Sequence, residues 1–452
     1  MSRRRPSAVS RTRLARSAAP LALAGRAALR WVATNVRPGD RRAKQDAFAL
    51  ETAEDVARTL GDMKGAAMKL GQILSVMTGT VSETMASQLE SLQANAPPMA
   101  PKLVASVFRA EFDRPPRALF RRFARHPFAA ASIGQVHRAT LHDGREVAVK
   151  VQYPGVREAI DHDLANAGLL LQAGGAFAPG MDMPRLVEDL KAGIREELDY
   201  RQEAVHQRRF ADLYRGHAFV RVPEIVDELS TSAVLVQEYI EGEPFAAAKA
   251  ASQSERDRIA EILYRFAFGS IYRHGLFNGD PHAGNYLLLR DGAVAFLDYG
   301  CVSEFSPEVV GRFAAVIRAL VARDISAWRE ATETLGILHA GAPFDDVTVY
   351  DHMHWYWAPI LEERVTFTPE LAGEMVRRNV QTTGEGGAIN RHCDIPPGMV
   401  FLTRINFGLA GLLGSLHASG GWQGIIEEYV AGRPPTTELG RRSAATSAGP
   451  SI

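Results

Sequence analysis

Asn278-Gly279-Asp280-Pro281-His282-Ala283-Gly284-Asn285 is followed, after a short hairpin, by Leu297-Asp298-Tyr299-Gly300. Asp280 and Asn285 stand five apart, and Asp298 lies thirteen further on. Between them, Tyr286 to Leu289 and Ala293 to Leu297 read as two short strands joined by an Arg290-Asp291-Gly292 turn. Phosphoryl transfer needs a carboxylate near the attacking nucleophile. It also needs hard oxygen ligands that hold Mg²⁺ against phosphates. Asp280 suits the first task. The amide of Asn285 and the carboxylate of Asp298, on neighbouring loops, suit the second.

Upstream, Glu146-Val147-Ala148-Val149-Lys150-Val151-Gln152 reads as a strand ending before Pro154. A Val-Ala-Val-Lys strand followed by the Asp-Asn-Asp set is the order of a protein kinase, in which the lysine contacts nucleotide phosphates. The preceding stretch, Ala129 to Val136, reads as a strand, a tight loop and the next strand, with His142-Asp143-Gly144-Arg145 as a hairpin turn. Ala130, Ala131, Ser132, Ile133, Gly134 and Gln135 would then lie against the nucleotide. A lysine so placed needs a carboxylate partner. A helix predicted from about 184 to 214 offers Glu196, Glu197, Asp199 and Glu203. Asp199 and Glu203 share a helical face. Helix geometry alone leaves all four open. Ala233 to Gly242 reads as a buried strand entering a turn, where backbone groups at Glu238 and Ile240 would bond an adenine.

The remaining chain is mainly helical. Val56, Leu60, Met63, Met68, Leu70, Ile73, Leu74 and Met77 recur at near-helical spacing. Inside this run Gly71 would cost about 1 kcal/mol relative to alanine. Further helices are predicted over 82–94 and 101–112 and, after Gly300, over 307–323, 326–338, 347–361, 369–379, 398–416 and 422–430. The domain plan is a basic segment 1–50, a helical extension 51–115, an N-lobe 116–242, a helical C-lobe 243–432 and a structureless Thr/Ser/Gly/Pro-rich tail 433–452. For the basic segment, a solvated tail, contact with an anionic membrane surface and an organelle transit peptide all fit the composition.

Bulk composition narrows the classes. The 452 residues are 46% hydrophobic and carry a formal net charge of zero, which gives no nucleic-acid signature. Two cysteines, Cys301 and Cys393, argue for a reducing compartment and against a disulfide framework. No run of eighteen apolar residues occurs, so any membrane contact is expected to be peripheral to a cytoplasmic protein.

Taken together the motifs resemble the AarF/UbiB family of atypical kinases over about residues 55–420. Lys69-Leu70-Gly71-Gln72 looks like the family's KxGQ signature, and Ala129 to Gln135 like its Ala-rich loop. Glu197-Leu198-Asp199 matches its ExD motif, Glu203 falls at its lysine-pairing glutamate, and Asp280, Asn285 and Asp298 match its catalytic and metal positions. The resemblance implies an α+β, protein-kinase-like bilobal fold with an N-terminal helical extension folded over the substrate side. It implies ATP and Mg²⁺ as cofactors, with regulatory roles for Lys69, Gly71, Gln72, Glu197 and Asp199. It further implies ATP-dependent support of isoprenoid quinone biosynthesis, with a membrane lipid or quinone-pathway proteins as partners. Transfer to a protein hydroxyl is disfavoured, because Gly279 precedes Asp280 where many kinases carry an arginine. Two alternatives remain at this stage: a small-molecule phosphotransferase of the aminoglycoside or choline kinase type, and a non-catalytic nucleotide-dependent scaffold.

Overall fold

The computed structural model describes residues 98–131, 133–158, 160, 198–379, 384–394 and 400–446. Segment 1–50, the KxGQ residues Lys69, Gly71 and Gln72, Ser132, Glu196 and Glu197 lie outside these. The described chain is α+β and divides into two compact units. The first continues through Ala204 and takes back Ile225–Tyr239; the second takes Val205–Glu224 and everything from Ile240.

In the first unit, alternation of side chains builds an antiparallel sheet. Its strand order is Arg122–Phe123, Gly134–Thr140, Glu146–Gln152, Val234–Glu238, with Ala129–Ala131 paired to Gly134–Thr140. Val147, Val149, Val151, Val234, Val236, Ala139 and Leu141 face one side, as a period of two requires. Helix Pro101–Phe112 covers that side with Val104, Val107 and Phe108. It starts with proline in its first turn and stops at Asp113, whose φ of 57° is left-handed. This helix, assigned by sequence to the extension, thus packs into the same core as the strands.

The predicted helix 184–214 is corrected in its described part. Leu198 and Asp199 are not helical, and from Tyr200 a helix runs to Leu213. Asp199 lies before it and accepts a hydrogen bond from Arg201 N at 3.0 Å, so Asp199 and Glu203 do not share a helical face. A short acceptor side chain competes with helical bonding and favours the helix start.

In the second unit, helix Gln253–His274 is capped by Ser252 and stopped by Gly275 at φ 63°. A Cβ on Gly275 would lie 2.5 Å from the Phe305 carbonyl oxygen, so only glycine fits. Leu276–Asn278 leaves this stop and pairs with Val302–Glu304. A second sheet orders Val220–Arg221, Val294–Phe296, Tyr286–Leu288 and Glu243–Pro244. The helices Pro307–Val321, Ile325–Leu335, Pro369–Asn379, Val400–Ser415 and Trp422–Val430 follow. The expected helix 347–361 breaks instead: Asp346–Met353 is α-helical and His354–Ile360 is a 3₁₀ segment. Pro359 lies inside that segment, has no N–H to donate and would crowd the Trp355 carbonyl in an α-helix.

The tail expected to be structureless from 433 carries helix Glu438–Thr446. Leu439 is buried, and Thr437 Oγ1 accepts from Gly440 N at 3.0 Å in the manner of an N-cap. Small polar composition hid one cap and one anchor. His217 Nε2 also meets Ser443 Oγ at 3.1 Å on this helix.

His217 makes the unit acid-sensitive. Burial pushes its pKa down to about 4, and Arg273, Arg221 and Arg265 add to the shift. The unfolded chain would protonate near pH 6.5 while the folded chain resists, so stability is present above pH 6.5 and is lost as pH falls towards 4. Melting temperature measured from pH 7 to pH 4 should fall more steeply for wild type than for His217→Gln. The difference should reach up to about 3 kcal/mol.

Candidate functional site

Lys150 and Glu203 meet in the first unit. Register pairs Val149 with Val236 on the core side, so Ala148, Lys150, Leu235 and Gln237 point to the other face of the sheet. Glu203 sits in the first turn of helix Tyr200–Leu213. Lys150 Nζ donates to Glu203 Oε1, and the two residues are 7% and 4% exposed. Of the four carboxylates open on sequence, Glu203 holds the lysine; Asp199 is half-buried and Glu196 and Glu197 are outside the described residues. A buried ion pair of this kind is costly to assemble.

The Ala-rich stretch crosses the same sheet. Ala129 and Ala130 are exposed and Ala131 is half-buried. A Cβ on Gly134 would come within 2.3 Å of the Val151 carbonyl oxygen, so the turn closes on the lysine strand only because Gly134 has no side chain. Two of the residues expected against the nucleotide have buried side chains. Ile133 is buried. Gln135 pairs with Val151 on the core side, accepts from Met99 N at 2.7 Å and meets His137 Nε2 at 2.7 Å. An amide in the core must find such partners, and only the backbone of Gln135 remains for a ligand. Downstream, the side chain of Glu238 is exposed while its backbone pairs with Val147. The division between units falls directly before Ile240.

The second unit gathers Asp280, Asn285 and Asp298. Leu276–Asn278 delivers the loop, and Gly279 N donates to the Cys301 carbonyl at 2.6 Å. Asn278 Nδ2 donates to the Asp298 carbonyl at 2.8 Å, which ties the two acidic loops together. Asn285 Nδ2 donates to Asp280 Oδ2 at 3.2 Å and to the Asp280 carbonyl at 3.1 Å. Donation through nitrogen leaves the Asn285 amide oxygen as the atom that could hold a cation. Asp298 Oδ1 accepts from Gly300 N at 3.0 Å, which fixes the carboxylate. One amide oxygen and one carboxylate suit Mg²⁺, which takes few protein ligands and completes its shell with phosphate and water. Behind the loop, a Cβ on Gly408 would meet Pro281 Cγ at 2.5 Å, so helix Val400–Ser415 packs closely against it.

Gly300 is followed at once by strand Val302–Glu304 and then helix Pro307–Val321. Arg209 holds Glu304 through paired bonds of 2.8 and 2.9 Å. The segment is therefore short and pinned at both edges.

Tyr299 is fully buried, 5.0 Å from the Phe210 ring, and burial raises its phenol pKa. Its hydroxyl has no hydrogen-bond partner among the described residues. Tyr299→Phe should therefore leave the fold intact and raise stability by up to about 1–2 kcal/mol, read by denaturant midpoint. A fall in stability would reveal a partner for that hydroxyl.

The model of the ABC1 atypical kinase-like domain matches residues 91–332. Over 292 residues the chain is 35% identical to the atypical kinase coq-8, mitochondrial, of Caenorhabditis elegans, covering 63% of this chain and 39% of that one. Over 269 residues it is 33% identical to the atypical kinase COQ8B, mitochondrial, of Rattus norvegicus, covering 59% and 51%. The chain thus spans about two fifths to one half of the length of these curated relatives. Among solved structures it is similar to Rv3197 from Mycobacterium tuberculosis, described as a complex with erythromycin. That similarity has a TM-score of 0.63 and 32% identity, and covers 86% of this chain and 98% of that one. Among the described residues no helix is long and apolar enough to cross a membrane.

Proposed function

Because the chain belongs to the ABC1 atypical kinase-like family, the AarF/UbiB group, we propose that it is an ATP-dependent atypical kinase or ATPase that binds Mg-ATP. Its role would be support of isoprenoid quinone biosynthesis, or related lipid metabolism, at a membrane surface. The observation that carries the reading is the buried Lys150–Glu203 pair. In this reading Lys150 binds phosphate oxygens and Glu203 keeps its ammonium aimed. The backbone of the Ala-rich stretch, with Ala130 and Ala131, covers the phosphates, and backbone groups at Glu238 and Ile240 meet the base. Asn285 and Asp298 hold Mg²⁺, which would neutralise charge on the transferred phosphoryl group. Asp280 orients the attacking hydroxyl or water and accepts its proton.

The short segment after Gly300 and the glycine before Asp280 favour water or a small hydroxyl compound over a protein acceptor. The KxGQ residues and the Glu197/Asp199 motif are assigned regulatory roles by the family resemblance. The names of the relatives, coq-8 and COQ8B, support the link to quinone synthesis.

The test is Mg²⁺-dependent phosphate release from ATP by purified protein, with and without anionic liposomes, beside Asp298→Asn. Wild type should turn over, and the variant should fall by at least about a hundredfold, as expected when an electrostatic contribution to phosphoryl transfer is removed. Nucleotide binding with no phosphate release under either condition would overturn the enzymatic reading in favour of a scaffold.

A further inference from the structure

Residues 101–126 carry seven lysines and arginines and two carboxylates, a net charge of +5 in a chain whose total is zero. Six of these cations are arginines: Arg109, Arg114, Arg117, Arg121, Arg122 and Arg125. All six are exposed. None of their side chains has an ion pair with a carboxylate among the described residues. Elsewhere exposed arginines find such partners, as Arg138 does in Glu146, Arg209 in Glu304 and Arg312 in Glu308, at 2.7, 2.8 and 2.7 Å. Of the two local carboxylates, Glu111 is half-buried and accepts from Ser232 Oγ at 3.3 Å. Asp113 alone is exposed to offset the charge.

Packing beneath the arginines holds them in place. Phe108 meets Phe112, Phe120 and Phe123 with ring centroids 5.7, 6.0 and 5.5 Å apart. Phe120 and Phe123 are 5.6 Å apart. These rings belong to the core of the first unit. They clamp helix Pro101–Phe112, the single turn Pro116–Leu119 and strand Arg122–Phe123 to one another. The arginines alternate with them in sequence and fringe the outside of that one ring cluster. Arg122 also blunts the open edge of the sheet. The other five are not on a strand and have no such task. Gathering like charges without partners is unfavourable, and an anionic surface relieves it.

We propose that this arginine surface of the first unit docks electrostatically on an anionic phospholipid membrane. The proposal rests on the membrane part of the proposed function and deepens it by naming the face that meets the lipid. A protein partner is less well matched, because protein interfaces have an apolar centre depleted in charge. In 101–126 Leu103 is the only large apolar side chain that is exposed. Single-stranded nucleic acid is held by stacking as well as charge. Here Phe108 and Phe120 are buried and Phe112 and Phe123 half-buried, which leaves no open ring to stack on. A bilayer needs neither. Each Lys or Arg near an anionic leaflet strengthens binding roughly fivefold, with no pocket required.

The test is co-sedimentation of the full chain with vesicles of phosphatidylcholine, alone or mixed with phosphatidylglycerol. Wild type should bind only the anionic vesicles and should be released as salt is raised. The triple variant Arg117→Gln/Arg121→Gln/Arg125→Gln should bind roughly a hundredfold more weakly, the loss of three such cations. It should melt as wild type does, because exposed side chains without partners contribute little to stability. A control triple variant, Arg290→Gln/Arg364→Gln/Arg433→Gln, removes three exposed charges from the second unit and should lose less than about threefold. If the two triple variants weaken equally, overall charge and not this surface drives binding, and the inference fails alone. If wild type binds no anionic vesicle, the membrane part of the proposed function fails and this inference with it. Binding of a single-stranded RNA that the first triple variant loses would then assign the surface to nucleic acid.

Discussion

Lys150→Met lowers the stability of the protein by about 3–5 kcal/mol, and Glu203→Leu does the same, because each removes one side of a buried ion pair. The two side chains are 9% and 4% exposed, so water cannot take over from the lost partner. In a protein of this size that is a fall of roughly 3–5 °C in melting temperature. The double variant Lys150→Met/Glu203→Leu recovers most of the loss, since an apolar pair of similar volume is often neutral or stabilising beside a buried ion pair. Thermal melting of the four proteins checks this as a double-mutant cycle. Additive losses would mean that the two residues are stabilised by separate partners. A recovered double variant shows that the fold does not need the pair, and the reason for its presence must then be chemical.

Glu428→Ala has the second large effect. Glu428 accepts two bonds from Arg265, at 2.7 and 2.9 Å, and both side chains are almost fully enclosed. Arg265 also donates to Glu261 at 2.6 Å and to Thr437 Oγ1 at 2.8 Å. Glu428 in turn accepts from Thr436 N at 3.2 Å. The network thus fixes Thr436 and Thr437, where helix Glu438–Thr446 begins. The variant should lose about 3 kcal/mol, at the lower end for a broken buried pair because Glu261 remains. Cleavage by trypsin at Arg441 and Arg442 should quicken before the rest of the unit opens, because helix Glu438–Thr446 loses its anchor first. Unchanged cleavage would place the anchor of that helix elsewhere, at Leu439 or the His217–Ser443 bond.

The elements legible in the sequence were those governed by local patterns. The Glu146–Gln152 strand announced itself through alternating valines, and the Tyr286–Leu288/Val294–Phe296 hairpin through its Asp291-Gly292 turn. Helices Pro101–Phe112, Pro369–Asn379 and Trp422–Val430 follow the predicted bounds, two of them opening on proline. The pairing of Lys150 with Glu203 was not legible from helix geometry. Four carboxylates competed, and the choice depends on where the chain turns before Tyr200, which no periodicity encodes. The burial of Gln135 was missed for a similar reason. A residue beside a glycine turn reads as a loop contact, yet the strand period carries its side chain to the core, where Met99 and His137 wait. Strand Val302–Glu304 has no turn signal of its own and forms because Gly275 and Gly279 bring its partner close. Helix Gly384–Asn390 contains three glycines, Gly384, Gly386 and Gly387, and no propensity argument would place it there. Its buried Ile389 shows tertiary packing overriding local preference.

In the proposed function this sheet face holds Lys150 in order to bind a nucleotide. The direct test is a titration with Mg-ATP, followed by melting temperature, of wild type and of the recovered double variant Lys150→Met/Glu203→Leu. At a nucleotide concentration one hundred times the dissociation constant, wild type should gain about 2.7 kcal/mol. The double variant, folded but without the ammonium, should gain almost nothing. An equal gain in both proteins would contradict the claim and leave the buried pair without the role assigned to it.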